Sequence, residues 1–140
     1  MSTLLKFPPD VQFHEDLRLL IWRPHGIVNE NAVNKIIKFI GEEEAASQKP
    51  FNRFSDTLAA DSVDLNFRYI FHVSLFRRLS YSGRPSVKSA ILVTDATNAP
   101  HSKLHALLTR GSPIQVRIFE ARDEAAAWLG VSVDRLSMLQ

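Results

Sequence analysis

Cysteine is absent from all 140 residues, which excludes disulfides, thiolate metal sites and cysteine nucleophiles. No window approaches the roughly 18 unbroken apolar residues of a membrane-spanning helix, so no transmembrane segment is expected. The opening stretch MSTLLKFPPD lacks an apolar core of the required length and is broken by Pro8 and Pro9, so a signal peptide is not expected either. Charge of one sign is scarce: the formal net charge is +2, too small and too scattered to point to a nucleic-acid partner. A glycine-rich phosphate loop, a G-x-S-x-G elbow and a Ser-His-Asp spacing are all missing. These absences leave a soluble, cytoplasmic protein with no catalytic constellation in sight, and therefore an expected non-enzyme without cofactor or metal.

What is present is an ordinary globular composition, 45% hydrophobic and 23% charged, in a length that one domain fills without staples. Residues 1–9 read as a flexible tail and 10–140 as a single domain. The text DVQFHEDLRLLIWRP alternates apolar and polar residues on either side of Glu15-Asp16, the pattern of a hairpin whose inner strand is Leu17 to Arg23, stopped by Pro24 and Gly26. Asn29 caps a helix with Val33, Ile36, Ile37 and Ile40 on one face, while Glu42, Glu43 and Glu44 read as its solvated side. Phe51 to Leu58 reads as a short strand, and AADSVD as a polar break. Phe67, Ile70, Phe71, Leu75, Phe76 and Leu79 follow a helical stripe that predicts an aromatic core face, ended by Gly83 and Pro85.

Val87 to Thr94 is the most continuously apolar segment, as expected of a strand buried on both faces. A helix follows, from about Asn98 to Arg110, with Leu104, Leu107 and Leu108 inward. Then come a strand from Ile114 to Phe119 and a helix from Ala121 to Leu129, with one further turn after it. The order β-β-α-β-α-β-α-β-α predicts an α/β domain. Its sheet should be mixed but mostly parallel, with crossover helices.

Four segments in that order resemble the STAS fold of the anti-sigma-factor antagonist SpoIIAA. They are LLIWRPHG (Leu19 to Gly26), the FSD of Phe54 to Asp56, VKSAILV (Val87 to Val93) and VRIFEARDEAAAWLG (Val116 to Gly130). Within that fold the chain resembles the uncharacterised bacterial SpoIIAA-like proteins, a family akin to the CRAL-TRIO lipid carriers. The resemblance covers about residues 10 to 131 and implies no enzymatic activity. It makes Ser62 a candidate regulatory serine, because SpoIIAA-type antagonists are phosphorylated on an Asp-Ser at the start of the second helix. Here Asp61-Ser62 is followed by Val63-Asp64-Leu65, where those proteins have a glycine.

Three constellations remain. Ser55, Asp56 and Thr57 end one predicted strand, and Asp95 and Thr97 follow the next; parallel strands would gather them into a polar rim where ligands approach open α/β sheets. The duller account makes them helix caps. His101 and His105 are four apart on a helix, but zinc needs a third ligand and none is placed, so both are expected on an outward face. The aromatic helix with Phe67, Tyr69, Phe71, Phe76, Arg77, Arg78 and Tyr81 is expected to pack in the core, or else to wall an apolar pocket or a homodimer patch. The sequence thus leads to a non-catalytic regulatory or protein-interaction domain, with a carrier or sensor of a small apolar, lipid-like ligand as the alternative. An enzyme using Asp56 and Asp95 comes last.

Overall fold

A computed structural model of the chain describes residues 8–95 and 99–137. The tail expected at 1–9 therefore falls largely outside the described residues, as does Thr97. Among these residues seven strands and four helices follow one another. β1 (Val11–His14) and β2 (Leu19–Trp22) form the expected hairpin, and β3 (Gly26–Asn29) leads into α1 (Glu30–Ser47). Next come β4 (Asn52–Asp56), β5 (Ala60–Asp64), α2 (Phe67–Ser80), β6 (Val87–Leu92), α3 (Pro100–Leu108), β7 (Ile114–Phe119) and α4 (Arg122–Leu129). A 3-10 turn at Val133–Leu136 completes the order.

The main sheet runs β1-β2-β4-β6-β7, antiparallel only at the hairpin. β6 lies inside it, between β4 and β7, which explains its continuous apolar text. This is the mixed, mostly parallel α/β architecture expected from the alternation. Two strands were not anticipated. β3 and β5 pair in parallel as a separate ribbon, so AADSVD is a strand rather than a polar break. Four of the five β5 residues are exposed, and with nothing to bury they carry no apolar alternation to read. Gly26, at φ 71°, makes the turn that turns the chain from the sheet into this ribbon, a conformation that favours glycine.

The period of two divides each central strand between the two sheet faces. On one face Leu19, Ile21, Phe54, Ala90, Leu92 and Phe119 pack against Ala125, Ala126 and Leu129 of α4 and Leu136 of the 3-10 turn. The small side chains of Ala125 and Ala126, both buried, let α4 lie close on the sheet. Gly130, at φ 77°, ends it with its N–H bonded to the carbonyls of Ala126 and Ala127. On the other face Leu20 packs with Val11, Ile36, Phe39, Ile40 and Phe51 under α1. The Asn29 side chain accepts the Ala32 N–H at 3.0 Å and so caps α1 as the sequence indicated.

The helical stripes of α2 and α3 are rotated from their expected orientation. Phe67, Phe71, Leu75, Phe76 and Leu79 are exposed, between 44 and 66%, so they are not a core face. The buried residues of α2 are Ile70 and Ser74, and that of α3 is His105, while Leu107 is exposed. The reason is a polar seam: Ser74 Oγ and His105 Nδ1 lie 2.7 Å apart between the two helices. Arg78 reinforces the seam by donating to the Arg110 carbonyl at 2.6 Å, just past the end of α3. A hydrogen-bonded pair turned inward offsets what an apolar stripe would have gained, and apolar periodicity does not register it.

Candidate functional site

α1, α2 and α3 do not close over the sheet. Between them and the strands lies a cleft of about 450 Å³, within the size range of small-molecule sites. Leu20, Trp22, Ser55, Ser89 and Ile91 form its floor; Ile36, Ile40, Ile70 and Val73 are among its walls. Strand periodicity explains the floor. Alternate residues of β2, β4 and β6 share one face, and in β4 these are Arg53 and Ser55, with Phe54 and Asp56 on the other.

The proposed polar rim is thereby split. Ser55, Thr57 and Asp95 all line the cleft. Thr57 is fixed in place by donating its hydroxyl to the Leu92 carbonyl at 2.7 Å. Asp56 belongs elsewhere: it is 1% exposed on the α4 face, with Arg122 at 2.7 Å and Arg23 at 3.4 Å from one carboxylate oxygen. Its other oxygen accepts the Leu58 N–H at 3.0 Å. A carboxylate so occupied is a structural anchor, and the pairing of Asp56 with Asp95 in one reaction centre is corrected on that ground. Thr97 lies outside the described residues. Ser62 sits in β5, exposed and opposite Ile27, rather than at the start of a helix. The α2 cap is Asn66, which accepts the Tyr69 N–H at 2.8 Å.

The inner end of the cleft carries charge that the sequence reading missed. Glu44, expected on a wet face, is 3% exposed. It accepts from Arg53 at 3.0 Å, from Tyr81 Oη at 2.7 Å and from Arg84 at 3.3 Å. Arg53 is 2% exposed and sandwiched between the rings of Phe51 and Tyr81, at 5.5 and 5.2 Å from the ring centroids. It also donates to the Tyr81 hydroxyl. The signal in the text was a lone arginine between Phe51 and Phe54 in a central strand. A cation there must be turned inward and paired, and Glu44 is the partner.

Arg77 stands beside this cluster at the boundary between two hollows. It lines the cleft, and it also lines a second space of about 760 Å³ between α1 and α2. That second hollow opens to solvent between surface residues such as Lys38, Glu42 and Arg84. Arg77 Nη1 approaches His105 Nε2 at 3.3 Å. Because guanidinium only donates, Nε2 accepts and Nδ1 carries the proton, which it donates to Ser74. Burial, and then the Arg77 charge, push His105 down to about 3 from an ordinary 6.5. Burial lowers Arg77 to about 10, with Arg53 adding to the effect and Tyr81 and Glu44 opposing it; it stays a cation at neutral pH. His105 is therefore a buried neutral residue, not the solvated one expected. With no carboxylate behind the imidazole and an arginine in front of it, Ser74–His105 is not set up as a nucleophile and base.

The other aromatic-helix residues have separate tasks. Tyr69 Oη donates to Asn34 Oδ1 at 2.5 Å, tying α2 to α1. Phe67 stacks on His101 at 5.2 Å between ring centroids, tying α2 to α3. No group of three His, Asp or Glu side chains able to hold a metal occurs among the described residues.

Fold and site together define a SpoIIAA-like α/β domain with a hollow under its helices. A solved structure with this architecture is that of an uncharacterised DUF3478-family protein with a SpoIIAA-like fold from Shewanella loihica PV-4. It superposes with a TM-score of 0.54 over 85% of this chain and 89% of that one, at 13% sequence identity. At that identity the likeness speaks for the fold. No family model matches the chain, and no curated protein does. No helix among the described residues is long and apolar enough to cross a membrane.

Proposed function

We propose that this domain is a non-catalytic binding module that carries or senses a small, largely apolar molecule in the cleft under α1, α2 and α3. One observation carries the reading: an apolar hollow of about 450 Å³ where a folded protein of this size would ordinarily pack its core. Leaving that volume unfilled forfeits dispersion and burial that α1 and α2 would gain by closing, and a ligand restores both. A cytoplasmic setting suits such a role, given a chain without cysteine and no helix among the described residues long and apolar enough to cross a membrane.

Native mass spectrometry of protein purified without detergent tests this, backed by titration with decan-1-ol. A bound hydrocarbon mass, or saturable decanol binding lost in Val73→Trp without loss of folding, is the expected result. Absence of both rejects the reading. A regulatory role through a protein partner or a second copy has its own support in the exposed side chains of Phe67, Phe71, Phe76 and Leu79, at 45 to 66%. Light scattering of the wild type and of Phe71→Ser with Leu79→Ser separates it: an oligomer dissolved by the double substitution favours self-association, and a monomer in both removes the homodimer.

A further inference from the structure

Among the described residues, every buried or half-buried arginine but one has a carboxylate at ion-pair distance. Arg53 has Glu44 at 3.0 Å; on the opposite face Arg23 and Arg122 share Asp56. Arg77 belongs to no ion pair among the described residues. Residues 1–7, 96–98 and 138–140 contain no Asp or Glu. The Arg77 guanidinium meets His105, which is neutral, and the Tyr81 side chain, while the Glu44 carboxylate attracts it from beyond ion-pair distance. Arg77 is half-buried, and a cation in that position beside an apolar hollow, with no carboxylate at ion-pair distance, is stabilised by a ligand that brings the opposite charge.

We propose that the molecule received by this cleft is an amphipathic monoanion, a hydrocarbon body ending in a single carboxylate, with the acid group seated on Arg77. The inference rests on the binding role proposed above and adds the chemical class of the ligand. Shape and charge agree on it. Ile36, Ile40, Ile70, Val73 and Ile91 offer hydrocarbon contact along the cleft. The planar guanidinium of Arg77 at its inner boundary matches a carboxylate through two parallel hydrogen bonds. The charge required is one: Arg53 is already neutralised by Glu44, and Arg84 is 40% exposed to water at its side chain. A dianionic phosphate monoester would leave one negative charge unmatched, and a neutral alcohol would leave Arg77 as it stands.

Calorimetric titration at pH 8 with decanoate and with decan-1-ol, two probes of equal chain length, tests the proposal. The wild type is expected to bind decanoate at least tenfold more tightly. Arg77→Met should reduce decanoate to the level of decanol and leave decanol unchanged, while Arg77→Lys should retain most of the preference. Equal binding of the two probes by the wild type overturns the anion assignment and leaves the apolar cleft standing. Binding of neither overturns both. A preference for decanoate that survives intact in Arg77→Met also overturns it, by placing the acid on another group. Should the methionine variant fail to fold, the wild-type pair of titrations and the lysine variant decide between these outcomes.

Discussion

The two faces of the central sheet come from the same strands, one residue apart, and are finished differently. Under α4, Leu19, Ile21, Phe54, Leu92 and Phe119 meet Ala125, Ala126 and Leu129 in one packed cluster, and the buried Asp56 carboxylate is shared by Arg23 and Arg122. Under α1, α2 and α3 a volume is left over, the 450 Å³ cleft, and Arg77 borders it without an ion pair among the described residues. The contrast separates what this sequence needs in order to fold from what it keeps for another molecule. The open face tolerates the gap because the α1 cluster and the α2–α3 seam hold its helices from the sides.

Truncation gives the sharpest form of that contrast. Phe54→Ala is expected to cost about 3–5 kcal/mol, the range for a fully packed phenylalanine. Ile91→Ala, one strand across but facing the cleft, should fall below the ~2–5 kcal/mol of a packed isoleucine. Urea unfolding of both variants checks it, and equal losses would abolish the distinction between the faces. Glu44→Gln comes next. It leaves Arg53 buried without its counter-charge and should cost on the order of 3 kcal/mol in the same measurement.

Acid should then act through the open face. Unfolded His105 takes up a proton near pH 6.5, whereas in the folded chain it resists until about 3. Between those values the unfolded chain binds the extra proton, so stability falls as pH drops, by up to about 1.4 kcal/mol per pH unit from this group. His105→Gln should flatten that slope; an unchanged slope would assign the acid sensitivity to other groups. The smallest effect is expected at the surface: Phe71→Ser should shift stability by no more than about 0.5 kcal/mol, because its ring already faces solvent.

Much of the closed face was legible in the sequence. VKSAILV and IQVRIF declare themselves as strands by apolar content, and DEAAAWLG as a helix with Ala125, Trp128 and Leu129 inward, whereas the burial of Ala126 beside Ala125 was not read. The open face was legible only in outline. Ser55, Thr57 and Asp95 follow from strand ends, but Asp56 fell on the wrong side because a rim was drawn from adjacency in sequence, whereas neighbours in a strand point apart. Glu44 was hidden in an acidic triplet that looks like any wet helix face. Arg77 and His105 were hidden by the stripes of phenylalanine and leucine beside them. Those stripes mark the helices correctly and their orientation wrongly, since the inward side is set by the Ser74–His105 hydrogen bond and by what α2 and α3 present to each other. The β3–β5 ribbon is held by backbone pairing, and its mostly exposed side chains gave no pattern to follow.

Where an apolar molecule binds distinguishes the two faces most directly. Titrating isotope-labelled protein with decan-1-ol and following the backbone amide resonances locates it residue by residue. The expected result is saturable shifts at Leu20, Ser55, Ser89, Ile91, Ile70 and Val73, with Ala125, Ala126 and Leu129 unmoved. Shifts confined to the α4 face, or none at any concentration, would contradict it.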